Sequence, residues 1–341
     1  KPVRRAAPPP KTADPAAGES GARLKSLTPL YKQRQHRRRV LFGVLIAVLA
    51  VAITVLTGAL SASLAMLGDT VDSALLYINR TDGSWPATTG ISEPLQIEPL
   101  AGGFVELGAE DVLVYSAYGA KILSLQPSYA RPVLAVGGTH FAVYNRAGTE
   151  LTICSRTRTL YSQSFDAGIL LCAMSNNNSL AVVTESGRYA AQVQVFDPSL
   201  HLLYSWEMTQ SAGTPIALDF SPDSRRFAAG MLSAREGQLS CSVYFMSMDT
   251  DAEGPVYTAD QGSMLLRLDW QSERRVMAVF DTYLAVLDPT TGTETARYDY
   301  GGAALQSVAP GRRQTALLLT VRGGNNLVTL LGDDAGVFTL F

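Results

Sequence analysis

The chain has 341 residues, a formal net charge of −2 and 47% hydrophobic residues, which excludes a collagenous, wholly disordered or polybasic protein. Three cysteines and three histidines are too few and too scattered for a disulfide scaffold or a zinc module. The average conceals an asymmetry: residues 1–39 carry 11 Lys/Arg against Asp14 and Glu19, about +9, and residues 40–341 carry 17 against 28 acids, about −11.

Residues 1–33 hold Pro8-Pro9-Pro10, Pro15 and Pro29 among Ala, Gly and Lys. Such a stretch buries too little apolar surface to offset its ordering entropy, so it is read as a disordered basic tail. Residues 34–68 form the next unit, a basic flank with Arg34, Arg37, Arg38 and Arg39 followed by the run VLFGVLIAVLAVAITVLTGALSASLAML at 40–67. That run has no charge over 28 residues. About 20 apolar residues at ~1.5 Å rise cross a hydrocarbon core of ~30 Å. Inside a bilayer the backbone must satisfy itself, so a single transmembrane helix is expected. The hydroxyls of Thr54, Thr57, Ser61 and Ser63 can bond back to carbonyls one turn earlier. Flanking Lys and Arg favour the cytoplasmic side, which places the N-terminus inside and the rest outside the cell membrane. A buried helix of a soluble protein and a cleaved signal peptide near Ala59-Leu60-Ser61 are the alternatives; the long basic region and long apolar run fit a retained anchor better. The basic tail either only enforces this orientation or also attracts anionic headgroups at roughly 1 kcal/mol per charge.

Residues 69–102 read as a linker with a short strand at 74–79, a turn at Asp82-Gly83-Ser84-Trp85-Pro86, and loop from 87 to 102. From Phe104 onward the chain is short β-branched and aromatic runs punctuated by Gly, Asp, Asn and Pro, the all-β signature. One unit recurs: CAMSNNNSLAVVTESG from Cys172, LDFSPDSRRFAAGM from Leu218, LDWQSERRVMAVFD from Leu268 and SVAPGRRQTALLLTV from Ser307, with a weaker copy at His140–Tyr144. A second alternates with it: VYNRAGTELTI from Val143, VFDPSLHLLYSW from Val195, SMDTDAEGPVY from Ser247 and VLDPTTGTETARY from Val286. Four strands at this spacing predict a β-propeller over residues 103–341. At ~40–45 residues per blade it holds about six four-stranded blades, with seven as the alternative. Strand 74–79 is expected to cross to an incomplete blade and close the ring, because an open ring leaves an unpaired edge. The closing GVFTLF ends in mid-strand, either as an outermost strand or as an interrupted one.

SPDSRRFAAGM resembles the Ser-Pro-Asp-Gly turn of TolB-like and WD40-like propellers, with Ser224 at the Gly position. LDPTTG at 287–292 resembles the turn of YVTN and quinoprotein-type blades. The layout as a whole is similar to uncharacterised single-pass, membrane-anchored propeller proteins of Gram-positive bacteria, over about residues 70–341. The resemblance implies a fold; propellers host many unrelated functions.

Arg225-Arg226, Arg274-Arg275 and Arg312-Arg313 fall at matching turns of three consecutive repeats. Arg grips carboxylate or phosphate through a bidentate fork, so an arc of six could bind a polyanionic envelope polymer or a headgroup. The plainer reading is that they keep the turns solvated. Asp219 and Asp269 occupy equivalent places on the presumed innermost strand, where two carboxylates could hold a cation or act as acid and base. Cys172 and Ser307 fill the matching places elsewhere and break any ring, so turn-bonding or solvated Asp is the plainer reading. Cys154, Cys172 and Cys241 are read as buried thiols, with a Cys154–Cys172 bridge as the alternative. No GxSxG, HExxH, P-loop or dinucleotide fingerprint is present, so no catalytic residue, cofactor or metal is expected. An acidic remainder whose one lysine is Lys121 argues against nucleic acid. The expected function is therefore non-enzymatic: a membrane-anchored extracytoplasmic module that binds or scaffolds an envelope protein or glycan. An envelope hydrolase or lyase using the propeller channel, and a transmembrane sensor signalling to the basic tail, are the alternatives.

Overall fold

The computed structural model describes residues 83–332 apart from Glu236, Asp251, Arg312 and Arg313. The basic tail, the apolar run 40–67, the strand expected at 74–79 and the final GVFTLF lie outside the described residues. Among the described residues no helix is long and apolar enough to cross a membrane.

All regular elements here are strands, arranged as six antiparallel sheets. Blade 1 is β1 Gln96–Leu100, β2 Gly103–Leu107, β3 Val112–Ser116 and β4 Lys121–Leu125. Blade 2 is β5 Pro132–Val136, β6 His140–Asn145, β7 Glu150–Ser155 and β8 Thr159–Ser164. Blade 3 is β9 Ile169–Met174, β10 Leu180–Thr184, β11 Ala191–Phe196 and β12 Leu202–Met208. Blade 4 is β13 Thr214–Phe220, β14 Arg226–Arg235, β15 Gln238–Ser247 and β16 Val256–Thr258. Blade 5 is β17 Leu265–Ser272, β18 Arg275–Phe280, β19 Tyr283–Asp288 and β20 Thr293–Asp299. Blade 6 shows three strands, β21 Ala304–Ala309, β22 Gln314–Thr320 and β23 Asn326–Gly332. The protein is an all-β, six-bladed propeller.

The first strands of blades 1–5 line the centre: β13 packs against both β9 and β17, and β5 against both β1 and β9. Middle strands that are buried on both faces read as continuous apolar runs, such as VLVYS in β3 and LAVVT in β10. The outermost strands are half solvated, as in β12 with Leu202 and Leu203 exposed.

Because side chains alternate across a strand, each blade sends one set of residues to each neighbour. In blade 2, Phe141, Val143 and Cys154 pack with Val105 and Val114 of blade 1, whereas Tyr144, Leu151 and Ile153 pack with Leu180 and Val182 of blade 3. Similar cores join blades 3 and 4, 4 and 5, and 5 and 6. Burying one such aliphatic side chain contributes about 1.5–3 kcal/mol, so these seams dominate the stability of the disc. No such cluster joins blade 6 to blade 1 among the described residues. The far face of blade 1 is instead covered by residues 83–95. Trp85 stacks on Phe104 at 6.0 Å and Phe104 on Tyr115 at 5.5 Å. The Trp85 indole N–H donates to Ala117 O at 3.0 Å, and the Tyr115 hydroxyl to Thr89 O at 3.1 Å.

Two readings of the sequence change in detail. β1 lies within the stretch taken for loop, so the first blade begins at Gln96, ahead of residue 103. VYNRAGTELTI joins the second and third strands of blade 2, not the third and fourth as its three counterparts do. Its Ala147 takes a left-handed φ of 62° in a short hairpin, a local pattern that looks alike wherever it sits in a blade.

Candidate functional site

The turn after each innermost strand opens on one face of the disc, and these turns are tied from blade to blade. Ala101 N–H donates to Gly138 O at 3.3 Å, joining blades 1 and 2. Thr139 N–H donates to Asn178 Oδ1 at 2.9 Å, joining 2 and 3. Asn177 N–H donates to Ser224 Oγ at 3.3 Å, joining 3 and 4. The local cause is a side-chain-built turn: Ser221 Oγ donates to Asp223 Oδ1 at 2.5 Å and accepts from Arg226 N–H at 3.0 Å. Ser175 and Asn177 repeat it one blade earlier, also at 2.5 Å. Ser224 sits at φ 59° and Asn178 at φ 66°, the left-handed position that Gly fills in related turns.

Below this face the innermost strands of blades 1–5 line an open central cavity of about 320 Å³. Asp219 and Asp269 both line it, with Cys172, so the structure brings these three expected residues together. It adds Glu98 and Arg267, which single-strand inspection passed over. The signal was present: Arg267 stands two residues before Asp269 on one strand.

Asp219 is already engaged. Its Oδ2 accepts from Trp270 N–H of blade 5 at 2.6 Å and its Oδ1 from Phe220 N–H at 2.9 Å. Burial pushes its carboxyl up to about 7; the Trp270 hydrogen bond opposes this, Asp269 reinforces it, and the Phe220 bond and Arg267 oppose it. Asp269 accepts from Gln271 Nε2 at 3.2 Å. Arg267 Nε is buried without a hydrogen-bond partner among the described residues. Ser307 lies exposed on β21. No group of His, Cys, Asp and Glu among the described residues is placed to hold a metal ion.

The arginine arc is divided by the geometry. Arg226 pairs with Glu273 of blade 5 and stacks over Trp270 at 5.3 Å, so it joins two blades. Arg275 is half-buried, while Arg225 and Arg274 are exposed on the face. Thr290, through its hydroxyl and backbone N–H, holds the Asp288 carboxyl below the usual range, and Arg274 adds to this. Arg312 and Arg313 lie outside the described residues.

Cys154, Cys172 and Cys241 are free thiols. Burial pushes Cys154 up to about 12 and Cys172 well above its ordinary value, so neither supplies a thiolate at neutral pH. On the opposite face an open cavity of about 450 Å³ is lined by Gln210, Ser211, Gly213, Thr214 and Leu232–Ala234.

The family of unknown function DUF5711 matches residues 83–323, which spans the described propeller nearly end to end. The chain belongs to DUF5711. No curated protein matches this DUF5711 sequence. Among solved structures, KlAtg21 in complex with the coiled coil of AgAtg16 aligns with a TM-score of 0.54 at 13% identity, over 73% of this chain and 84% of that one. The WD40 domain of Neurospora crassa Pan2 aligns with a TM-score of 0.49 at 13% identity, over 65% and 70%. Kluyveromyces lactis Hsv2p aligns with a TM-score of 0.49 at 12% identity, over 72% and 76%. At such identities the likeness is one of fold.

Proposed function

We propose that this DUF5711 chain is a non-enzymatic binding and scaffold module, tethered to the cell membrane through residues 40–67 with its propeller on the extracytoplasmic side. The observation that supports binding over catalysis is the state of the channel. Asp219, a half-buried carboxylate, spends both oxygens on backbone N–H groups, one on its own strand at Phe220 and one at Trp270 that fastens blade 5 to blade 4. What remains open is a rigid face of interlocked turns, on which Arg225 and Arg274 stand exposed. A rigid patterned face suits recognition of an envelope protein or an anionic glycan. KlAtg21, of the same fold, was solved bound to a coiled coil, which is consistent with a protein partner.

The test is affinity capture of the intact chain from its own membranes. We expect a reproducible envelope partner whose recovery falls at least tenfold in Arg225→Glu/Arg274→Glu while thermal stability is unchanged. Capture of no partner, or capture unaffected by the double variant, overturns the reading or its chosen face respectively. The hydrolase or lyase alternative draws on the carboxyl of Asp219, held near 7 beside Asp269. It requires Asp219→Asn to abolish turnover of an envelope substrate without reducing partner capture.

A further inference from the structure

One arginine and three acids line the central cavity, and they do not cancel one another. Arg267 and Asp269 come from β17, Asp219 from β13 and Glu98 from β1. Arg267 and Asp269 stand two residues apart, so they project to the same side of β17, about 7 Å from each other along the strand. Among the described residues Arg267 nevertheless makes no ion pair, and its buried Nε donates to nothing. A buried donor without an acceptor carries its whole desolvation penalty, which a ligand accepting from it would remove. The acids keep capacity as well. Asp269 accepts from Gln271 Nε2 at 3.2 Å, and a carboxylate has about four acceptor positions. Glu98 is half-buried on β1.

The backbone adds donors and acceptors. β1, β5, β9, β13 and β17 each stand at the end of their sheet, so their channel-side edge is not used for strand pairing among the described residues. Two of these edges already hold an oxygen from the preceding blade in sequence. Leu134 N–H donates to Gln96 Oε1 at 2.8 Å, and Trp270 N–H donates to Asp219 Oδ2 at 2.6 Å. An inner-edge N–H of this ring therefore accommodates an amide or a carboxylate oxygen.

Charge selects the class of ligand. Burial raises Asp219 to about 7, so at neutral pH about half of it is protonated, and Glu98 and Asp269 still outnumber the one guanidinium. That excess disfavours a free anion such as phosphate. The guanidinium in turn disfavours a simple cation. A molecule carrying both an ammonium and a carboxylate satisfies both signs at once. Between the charged groups the walls are aliphatic, with Leu134, Val136, Leu171, Ile216 and the half-exposed Leu266. At about 320 Å³ the cavity stands at the small end of the ~300–1,000 Å³ of ligand pockets, which suits a small molecule and not a polymer.

We propose that the channel binds a small zwitterion of the α-amino-acid class with an aliphatic side chain: Arg267 takes its carboxylate, Asp269 and Glu98 take its ammonium, and the aliphatic wall takes its side chain. This site is separate from the turn face and needs neither Arg225 nor Arg274. The experiment is isothermal titration calorimetry of the full-length chain in detergent with L-leucine and L-valine and with two half-ligands. The methyl ester of L-leucine keeps the ammonium and lacks the carboxylate; 4-methylpentanoate keeps the carboxylate and lacks the ammonium. L-leucine or L-valine binds saturably, one per chain, and each half-ligand binds at least tenfold more weakly than L-leucine. Arg267→Ala weakens L-leucine at least tenfold and leaves the methyl ester unchanged, whereas Asp269→Asn weakens both. Arg225→Glu/Arg274→Glu leaves L-leucine binding unchanged, so failure here and failure of the turn-face reading are told apart. No saturable binding of either amino acid, a methyl ester that binds as tightly as L-leucine, or L-leucine binding undiminished in Arg267→Ala overturns the proposal. The half-ligand comparison uses the unaltered chain, so it decides the matter even where a variant fails to fold.

Discussion

Among the described residues, the seam between blades 4 and 5 and the boundary between blades 6 and 1 differ sharply. At the first, Phe245, Trp270, Phe280 and Tyr283 sit in one buried cluster, and polar bridges cross on both sides of it. Asp219 accepts from Trp270 N–H near the channel, and Arg226 pairs with Glu273 on the turn face. At the rim Tyr257 donates to Glu294 at 2.7 Å, and Arg297 pairs with Asp260 while lying 3.6 Å over the Tyr283 ring. At the second, Trp85 is 50% exposed, Ile97 56% and Val328 58%. In a ring of modules that touch only their neighbours, stability is close to a sum of interface terms. Among the described residues, apolar clusters thus join the disc across five seams, and none is seen between blades 6 and 1.

That contrast is broken most directly by truncating a large side chain on each side of it. Trp270→Ala removes a residue 5% exposed, its edge contact with Phe245 and the stacking of Arg226, at an expected cost of about 3–5 kcal/mol in a denaturant titration. Ile97→Ala, half exposed beside the sixth seam, is expected to stay within about 0.5 kcal/mol. Equal costs would show the two seams to be alike.

The next effect is on pH. The Asp219 carboxyl is raised to about 7 in the fold and is ordinary, near 4, in the unfolded chain. The folded state therefore binds more protons across that window, and stability falls as pH rises from about 4 to 7, then levels off. Melting curves of Asp219→Asn should lose that slope, whatever the variant's absolute stability. A slope that survives the substitution assigns the titration to another group.

Smaller still is the turn-face pair. Arg226→Ala should cost about 1 kcal/mol, part from the ion pair and part from stacking on Trp270, because Glu273 is largely solvated. Glu273→Gln should cost less, and a double-mutant cycle separates the two parts. The least effect is a gain: Ala147→Gly relieves an exposed left-handed alanine at φ 62° and should stabilise by about 0.5 kcal/mol, read as a small rise in Tm. It lies far from both seams and serves as the control for them.

Much of the fold was legible in the sequence because repetition amplifies weak signals. The SPDS and LDPTTG turns mark their blades through Asp223 and Asp288, whose side chains build the turns. The first strand of blade 1 escaped because no such motif follows it: its turn is Ala101-Gly102, closed by backbone and by the Arg156 guanidinium from blade 2. The candidate site was legible only in part. Asp219 and Asp269 were placed at the channel by register, but a register cannot show that Trp270 N–H of the next blade takes the Asp219 carboxylate. Nor could it show that Arg226 turns sideways to Glu273 while its neighbour Arg225 stays in solvent. Those outcomes depend on partners about fifty residues away, which meet only when the ring is formed.

The anchoring of Trp85 has a mechanical side. A pull on residues 83–85 reaches the disc through blade 1, where the indole is bonded to Ala117 and stacked on Phe104. Arg225 and Arg274 stand on blades 4 and 5, across the ring from that point. A partner gripping them would load the disc along its diameter, between blades 4 and 5 on one side and blade 1 on the other.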